Sequence, residues 1–424
     1  MRKSHSFIPE KDFIKKALQF ANKESHVVYL NPNSYTYPYQ AFRHVLAFGV
    51  LKALKEIPLH NFDTLKTFVD NNNDWTFGYF SYDLKNELEQ ITTKNSDRVN
   101  FPLINFFIPK HLIFFHENHA EIISVENPEA LFSLIQKEAL KNTSPLSTKI
   151  VIQQKISKEI YLKKVKSIQT LILKGVLYET NFCQEYFAEN ILLEPLSAYH
   201  KLNEISPMPF SCYVKTNQHY LICASPERFI KKEKQKLISQ PIKGTAKRDL
   251  DPEKDAVIRS VLETSQKERS ENIMIVDLVR NDLSRSAKSG SVEVEELCGI
   301  HTFPKVHQMI STITAELDSA IHPVEAIKRA FPMGSMTGAP KVRAMELIEE
   351  YEETARGLFS GAVGYFSPEM DFDFNVVIRS ILYNEATRYL SFQAGSAITY
   401  YADPEKEYEE CEVKTVAIRE VLEG

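Results

Sequence analysis

Glycine and cysteine are both scarce in this sequence. Ten of the 13 glycines among 424 residues lie at or after Gly244, so positions that need unusual backbone geometry concentrate in the later part of the chain. The five cysteines form an odd set without a Cys-x-x-Cys spacing. This pattern argues against a disulfide framework and a structural zinc site, and it suits the reducing cytoplasm.

The sequence also lacks a marked excess of either charge and lacks long hydrophobic runs. Lysine and arginine number 51 against 56 acidic residues, a formal net charge of −5, so a basic surface for nucleic acid or an anionic membrane is not expected. The longest apolar stretch, residues 45–54, is broken by Gly49 and Lys52, and we expect neither an export signal nor a membrane span. These absences favour a cytoplasmic protein with a small-molecule ligand.

The pattern of strands, helices and loops predicts two regions. Residues 1–145 combine short β-rich runs with polar loops, and Ala139–Thr148 is the best candidate for a linker. Residues 149–424 have their strands and helices in blocks and not in strict alternation. Such blocks favour an α+β fold over a doubly wound parallel sheet. We expect the two regions to pack as one intertwined unit.

Helix signals are clearest in the second region. Asp251 followed by Pro252 is typical of an N-cap with proline at the first helical position, and it predicts one long helical stretch that ends near Ser284. Further helices are predicted at 158–173, 323–330, 341–351 and 404–422. The long stretch and the last helix each carry an acidic pair.

These acidic pairs are Glu268 with Glu271 and Glu407 with Glu410. A spacing of three places both members of a pair on one helix face, where like charges destabilise the helix unless something compensates. One reading is a solvated acidic surface. The other is two converging pairs that form an all-oxygen site, which would suit Mg²⁺ and leave room for an anionic substrate.

Lys243 and Gly244 lie together at the end of a predicted strand, in the segment QPIKGT. Glycine there allows the backbone to approach a ligand closely. Lysine is a nucleophile only when it is neutral, so its pKa must fall from about 10.4 before it can attack carbon. The alternative is an ordinary surface lysine.

Two further features suit an anionic ligand. The run PMGSMTGAPK, residues 332–341, stands directly before a helix and could aim backbone N–H groups at an anion, or it could be a plain helix-entry loop. Arg379 lies within the predicted apolar strand FNVVIRSI, residues 374–381, where its guanidinium needs a partner. That partner is either a structural carboxylate or the carboxylate of a ligand.

Six motifs make the sequence similar to a known family. They are SPERF at 225–229, PIKGT at 241–245, ERSENIMIVDLVRNDLSR at 268–285, GSMTGAPKVRAME at 334–346, GAVGYFS at 361–367 and EYEECEVK at 407–414. Their order and spacing resemble the chorismate-utilising enzymes, which include anthranilate synthase component I, isochorismate and salicylate synthases, and aminodeoxychorismate synthases. The resemblance extends to TFGYFSYDLKNELE at 76–89, and it implies a large two-sheet α+β sandwich with helices around it.

The resemblance also implies which reaction is catalysed. Lys243 stands where aminodeoxychorismate synthases use a lysine to attack carbon 2 of chorismate, and where anthranilate synthases have a small residue. Glu179 stands where isochorismate and salicylate synthases place a water-activating lysine, and where ammonia-using members more often have glutamine. The implied activity is amination of chorismate to 4-amino-4-deoxychorismate, for 4-aminobenzoate and folate synthesis. Anthranilate synthase component I activity and a catalytically silent chorismate-binding subunit are the alternatives.

Site residues follow from the same resemblance. Glu227 matches the general acid that protonates the departing carbon 4 hydroxyl. Magnesium would be held directly by Glu271 and Glu410, and through water by Glu268 and Glu407. The implied substrate-binding residues are Gly244, Thr245, Thr337, Tyr365, Arg379, Gly395 and Lys414, of which Tyr365, Arg379, Gly395 and Lys414 would grip the enolpyruvyl carboxylate.

The sequence departs from the family pattern at a few positions, and the resemblance also implies partner proteins. Gln308 stands where a site histidine is usual, His307 lies one place earlier, and the glycine-rich run is reduced to Gly395-Ser-Ala. A tryptophan-binding motif is not recognisable. Because the sequence shows no glutaminase or pyridoxal-phosphate lyase region, a separate glutamine amidotransferase would supply ammonia, and a separate aminodeoxychorismate lyase would act on the product.

Overall fold

The structure is a computed structural model that describes residues 2–33, 35–55, 57, 59–140 and 149–424. The predicted linker Ala139–Thr148 lies almost entirely outside these residues. The boundary between the two predicted regions therefore stays a prediction.

Strands are distributed along the whole described chain. They are β1 (Lys3–Phe7), β2 (His26–Asn31), β3 (Val45–Ala53), β4 (Thr76–Phe80), β5 (Ile104–Phe115), β6 (Ala120–Ser124), β7 (Gln153–Gln154), β8 (Glu179–Ala188), β9 (Phe210–Thr216), β10 (His219–Ser225), β11 (Arg228–Glu233), β12 (Lys236–Gln240), β13 (Ile242–Lys247), β14 (Glu293–Thr302), β15 (Val306–Glu316), β16 (Gly338–Ala339), β17 (Ala362–Phe366), β18 (Phe372–Asn375), β19 (Ser380–Asn384) and β20 (Tyr389–Ile398).

Helices alternate with blocks of these strands. They are α1 (Phe13–Ala21), α2 (Asn61–Asn72), α3 (Lys85–Glu89), α4 (Pro128–Gln136), α5 (Lys158–Leu173), α6 (Pro195–Ile205), α7 (Pro252–Thr264), α8 (Gln266–Ser284), α9 (Pro323–Ala330), α10 (Lys341–Tyr351) and α11 (Pro404–Glu423). The predicted helices over 158–173, 323–330 and 341–351 are confirmed, and the last helix runs one residue further than predicted.

The helical stretch begins at Pro252 and ends at Ser284 as the sequence predicted, but it is divided into two helices, α7 and α8. Asp251 caps α7 by accepting a hydrogen bond from the backbone N–H of Glu253, with Pro252 at the first position. The helix is interrupted at Ser265, which has an extended backbone and caps α8 by accepting a hydrogen bond from the N–H of Glu268. A Ser-x-x-Glu sequence is a helix-start signal, so the break has a local cause. It gives α8, which carries the first acidic pair, its own direction.

All strand pairs among the described residues are antiparallel, and β5 joins two sheets. Its first residues, Ile104–Phe107, pair with β4, and residues 107–114 pair with β3. From β3 one sheet continues through β2, β9, β10, β19, β20 and β8. From β4 the other continues through β17, β18, β11, β12 and β15, with β13 and β14 beside β15. This confirms the α+β sandwich.

Two apolar clusters hold the layers together. One contains side chains of both sheets, such as Leu221 and Phe374, together with Ile275 of α8. The other lies under α1, α5, α6 and α11, where Tyr161 and Ile418 pack on strands of the first sheet. Burial of this apolar surface is the main force that holds α8 and α11 in place. Among the described residues, no helix has the length and apolar character that crossing a membrane requires.

Candidate active site

Lys243 and Glu179 form an ion pair between the two sheets. Lys243 Nζ on β13 is 3.2 Å from Glu179 Oε1 at the start of β8, and the Glu179 side chain is fully buried. Lys243 is therefore not an ordinary surface lysine, since only 11% of its side chain is exposed. The packing of the two sheets brings together residues that are 64 positions apart in sequence.

Gly244 allows β13 to approach helix α8. Its φ is +87°, and a Cβ atom there would lie 3.0 Å from Glu268 Oε2. Any larger residue would meet both a backbone strain and this carboxylate. Thr245, the next residue, is exposed and pairs with Gln308 of β15. Its predicted place in the pocket stays a prediction.

The charge state of Lys243 differs from the one the sequence argument required. Burial lowers the pKa of its amine, but the attraction of Glu179 and Glu271 outweighs burial, and the pKa is raised. Nearby carboxylates, and not nearby cations, surround the amine. Lys243 is thus an ammonium ion in this structure, and attack on carbon requires that a group remove its proton.

Glu227 has the properties of a general acid. It lies between β10 and β11, only 5% exposed, and its backbone N–H donates to Ser225 Oγ at 3.2 Å. Burial raises the pKa of its carboxyl to about 7, against the lowering effects of a hydrogen bond from Ser335 and of the charges of Lys243 and Lys414. A carboxyl with this pKa is protonated in a useful fraction at neutral pH.

The two acidic pairs converge. Lys267 Nζ is 3.0 Å from Glu407 Oε1 on α11 and 3.9 Å from Glu271 Oε1 on its own helix α8. Glu271 and Glu407 are buried at 8% and 1% exposure, whereas Glu268 and Glu410 are partly exposed. A solvated acidic surface is therefore the wrong description of the two pairs. They form one carboxylate cluster between α8 and α11.

This carboxylate cluster fits a hard divalent cation in its donor chemistry. Glu271 Oε1 is buried and accepts no hydrogen bond from any described residue, and such an oxygen is costly unless a cation satisfies it. Oxygen donors of this kind are the ligands that Mg²⁺ prefers. In the described residues no three His, Cys, Asp or Glu side chains already stand at metal-ligand spacing. The division into direct and water-mediated ligands stays a prediction.

Two cationic side chains lie beside Glu410. Lys414 Nζ is 2.6 Å from Glu410 Oε1 and donates to the backbone oxygen of Gly395 at 2.8 Å. The guanidinium of Arg379 makes no hydrogen bond or ion pair with a described residue, and burial lowers its pKa, although the charge of Glu410 opposes this. A half-buried, unpaired guanidinium is available to a carboxylate of a ligand.

The backbone places Arg379 differently from the prediction. It does not lie inside a strand but at the bend between β18 and β19, with a φ of 51°. Gly395 lies in β20 opposite Cys183 of β8, and a Cβ there would be 2.3 Å from the cysteine Sγ. Glycine is thus required at this position by the closeness of the two strands.

Thr337 and Tyr365 have other partners. Thr337 is fully buried beside β8, where its hydroxyl donates to the backbone oxygens of Met333 and Gly334. Tyr365 packs against Trp75 and Phe77, with ring centroids 5.5 and 5.8 Å away. No contact in the described chain joins Tyr365 to Lys243 or to the acidic pairs.

His307 is occupied elsewhere. Its Nε2 is 2.9 Å from Asp255 Oδ1 of α7, and its Nδ1 is 2.9 Å from Thr302 Oγ1. Gln308, on the opposite face of β15, is buried and its Oε1 has no hydrogen-bond partner in the described chain. The histidine therefore links β15 to α7, while the glutamine side chain is on the other face.

Sequence reasoning missed Lys267 and Ser335 as members of this site. Lys267 precedes Glu268, but nothing in the local sequence indicates that its ammonium would reach a carboxylate 140 positions away. Ser335 lies in the run before α10, and only the fold places it against Glu227. Both contacts join elements that are distant in sequence.

The site consists of carboxylates and cations contributed by β8, β13, α8 and α11. All of these side chains lie in the part of the chain that a family model matches. The family described as chorismate binding enzyme matches residues 19–420, and the chain belongs to this family.

Individual relatives agree with this assignment. Aminodeoxychorismate synthase component 1 of Klebsiella aerogenes is 33% identical over 349 residues, which cover 82% of this chain and 77% of that protein. Anthranilate synthase component 1 of Aquifex aeolicus is 31% identical over 367 residues, 82% of this chain and 74% of that protein. The crystal structure of anthranilate synthase component I from Streptococcus pneumoniae has a TM-score of 0.78 at 23% identity, over 91% of this chain and 94% of that one, and shares the fold.

Proposed function

We propose that this chain aminates chorismate to 4-amino-4-deoxychorismate. The observation that carries the proposal is Lys243, a buried lysine that is paired with Glu179 and close enough to Glu227 to affect its pKa. A nucleophile beside a general acid can replace one difficult substitution at the ring by two easier ones. The relatives named aminodeoxychorismate synthase support the same reaction.

In this mechanism the chain's own residues divide the work. Lys243 adds to carbon 2 of the ring while Glu227 protonates the departing hydroxyl of carbon 4, and ammonia then displaces the lysine by attack at carbon 4. Arg379 and Lys414 provide the positive charge that holds a substrate carboxylate. A closed, water-poor site strengthens these charge interactions.

Magnesium is part of the proposal. Glu271 and Glu410 would hold the ion directly and Glu268 and Glu407 through water. The support is Glu271 Oε1, a buried oxygen that accepts no hydrogen bond from the described residues. When bound, magnesium would neutralise the carboxylates and bind the ring carboxylate of chorismate. The fold of the chain contributes by bringing α8 and α11, the two helices that carry these oxygens, close together.

The nitrogen donor and the fate of the product involve other proteins. A separate glutamine amidotransferase subunit would deliver ammonia, in keeping with the designation component 1 of the relatives. The product would be released and converted to 4-aminobenzoate by a separate lyase.

Product identification tests the proposal. Purified chain is incubated with chorismate, Mg²⁺ and an ammonium salt, and the product is identified by mass and absorbance. We expect aminodeoxychorismate. Anthranilate would assign the chain to the other amination at the ring, and no turnover would support a silent chorismate-binding subunit; either result would overturn the proposal.

A further inference from the structure

The Glu179–Lys243 pair contains a carboxylate without an assigned role. Glu179 Oε1 is the hydrogen-bond partner of Lys243 Nζ, at 3.2 Å. The other oxygen, Oε2, is buried and accepts no hydrogen bond from the described residues. A fully desolvated carboxylate beside an ammonium ion has the geometry of a base next to its acid.

Lys243 must lose a proton before it can attack the ring. An ammonium nitrogen has no free electron pair, so the proton must leave Nζ before a bond to carbon forms. Only 11% of the lysine side chain is exposed, and none of the glutamate side chain. Bulk water is therefore poorly placed to take this proton, whereas Oε1 already accepts a hydrogen bond from it.

Four other carboxylates act on Lys243 or are acted on by its charge: Glu271, Glu410, Glu268 and Glu227. Glu227 is the proposed acid of the same step, and two of the others have cations of their own. Glu271 on α8 and Glu410 on α11 both act on its charge. Glu410, however, is bound by Lys414 at 2.6 Å, and Glu271 lies 3.9 Å from Lys267. Glu179 on β8 has no second cation within ion-pair distance in the described chain, so its charge is directed at Lys243.

Strand pairing holds Glu179 in place. Its neighbour Tyr178 donates its N–H to the backbone oxygen of Ala339 at 2.8 Å, and Glu179 stands opposite Ala339 of β16. On the other side Thr180 stands opposite Ile398 of β20. The glutamate is thus fixed by two neighbouring strands, as a group that acts at one atom must be.

We propose that Glu179 is the general base that takes the proton from Lys243 when chorismate is bound, and returns it when ammonia displaces the lysine. This inference rests on the amination proposed above. It makes Glu179 a catalytic residue, because its carboxylate touches the reacting nitrogen.

The proton and electron balance closes over the two halves of the reaction. In the first half a proton moves from Nζ to Glu179, the bond from Nζ to carbon 2 forms, the ring double bonds shift, and the bond from carbon 4 to oxygen breaks as Glu227 protonates that oxygen, which leaves as water. In the second half ammonia bonds to carbon 4, the double bonds shift back, and the bond from Nζ to carbon 2 breaks. Glu179 then returns its proton to Lys243, and Glu227 takes one from the new amine.

The first test is Glu179→Gln, which keeps the size of the side chain and removes the base. With chorismate, Mg²⁺ and ammonium at neutral pH, we expect kcat to fall about 100-fold or more, while KM for chorismate changes by less than about threefold. At a fixed concentration of free ammonia and below about pH 7, where Glu227 keeps its proton, the rate of the variant should rise about tenfold per pH unit because its lysine must lose the proton to solvent, and the wild type should show no such rise. An unchanged kcat, or a pH profile like that of the wild type, would overturn the proposal.

Glu179→Asp and Glu185→Gln provide the comparison. Glu179→Asp keeps the carboxylate, so its kcat should be at least about tenfold higher than that of Glu179→Gln, with the wild-type pH profile. Equal rates for the two Glu179 variants would overturn the proposal. Glu185, a buried glutamate on the same strand, bonds to Tyr389 and Ser391. Its glutamine variant should lose stability but keep the wild-type pH profile. A profile changed in the same way as in Glu179→Gln would overturn the proposal, because loss of any buried carboxylate on β8 would then explain the effect.

The design separates this inference from the proposed function. If the wild type does not form aminodeoxychorismate, the proposed function is wrong, and the base proposal is wrong with it. If the wild type aminates chorismate and Lys243→Ala does not, but Glu179→Gln matches the wild type in rate and pH profile, only the role of Glu179 is wrong.

Discussion

Lys267 on α8 joins Glu407 on α11, with its Nζ 3.0 Å from Oε1 of the glutamate. One lysine thus connects the two helices that carry the acidic pairs. Its side chain is 47% exposed, whereas that of Glu407 is 1% exposed. In this contact a half-exposed ammonium group therefore neutralises the charge of a buried carboxylate.

Loss of this cation should destabilise the metal-free protein. Lys267→Met leaves Glu407 buried without its partner, and we expect the free energy of unfolding to fall by about 1 to 2 kcal/mol. Added Mg²⁺ should raise the Tm of the variant more than that of the wild type. Lys254→Met, at a 69% exposed lysine on α7, is the matched control. Its Tm should equal that of the wild type both without and with Mg²⁺. Equal responses of Lys267→Met and wild type to Mg²⁺ would contradict this.

Removal of the Lys243 amine should stop amination. We expect Lys243→Ala to lower kcat with ammonium by about 1000-fold or more, because the nucleophile is lost, while the fold and Mg²⁺ binding are retained. Steady-state rates and calorimetry of Mg²⁺ binding measure the two effects. Lys247→Ala, at the exposed end of the same strand, is the control. Undiminished turnover by Lys243→Ala would mean that ammonia attacks chorismate directly.

Substitution of the predicted direct magnesium ligands should weaken the binding of Mg²⁺ and of chorismate together. If magnesium links the helices to a substrate carboxylate, Glu271→Gln and Glu410→Gln each lower the affinity for Mg²⁺ and for chorismate, by linkage. Calorimetric titration of chorismate with and without Mg²⁺ measures this. Glu409→Gln, an exposed neighbour on α11, should bind both as the wild type does. Chorismate affinity independent of Mg²⁺ would refute the link.

The general acid predicts how activity depends on pH. Because the pKa of Glu227 is raised to about 7, its protonated form predominates below that pH. At a fixed concentration of free ammonia, kcat/KM for chorismate should therefore fall as pH rises above about 7, and Glu227→Gln should be inactive throughout. A wild-type profile that stays level well above pH 7 would show that another group protonates the hydroxyl.

The same group predicts a pH dependence of stability. Burial raises the pKa of Glu227 from 4.5 to about 7, so the folded protein binds its proton more tightly than the unfolded chain does. This contribution is fully present below pH 4.5 and is lost as pH rises to about 7, a change of about 3 kcal/mol relative to Glu227→Gln. Urea unfolding of both proteins across this pH range measures it, and parallel curves would contradict the assignment.

Nitrogen supply gives a last expectation. At neutral pH ammonia is mostly ammonium, which is not a nucleophile. The isolated chain should therefore aminate chorismate with ammonium salts, more rapidly as the free ammonia concentration rises, and should not use glutamine. Product assays with each nitrogen source test this prediction. Glutamine-dependent turnover by the purified chain alone would contradict it.

Local signals predicted the helices well, and long-range contacts decided the site. Asp251-Pro252 indicates where α7 begins because a cap and a proline act within a few residues. The break at Ser265 also had a local signal. The ion pair of Lys243 with Glu179, and that of Lys267 with Glu407, depend on how the two sheets and helices α8 and α11 pack, and a single sequence contains no pattern that reports such distances.

The same distinction explains the charge of Lys243. From the sequence, a nucleophilic lysine needs desolvation or neighbouring cations. The structure surrounds it with carboxylates from three separate elements, β8, α8 and α11, whose combined charge could not be read from QPIKGT alone.

Strand β5 has a consequence for how the chain reaches its folded state. It pairs with β3, β4 and β6, all within the first 124 residues, so a nascent N-terminal segment can close these pairs early. That segment would present two unpaired edges, β2 and β4, whose residues are all buried in the finished protein. Until β9 and β17 cover them, these edges are templates for pairing with other chains. Production as an N-terminal fragment should accordingly give aggregates, whereas the full chain supplies its own covering strands.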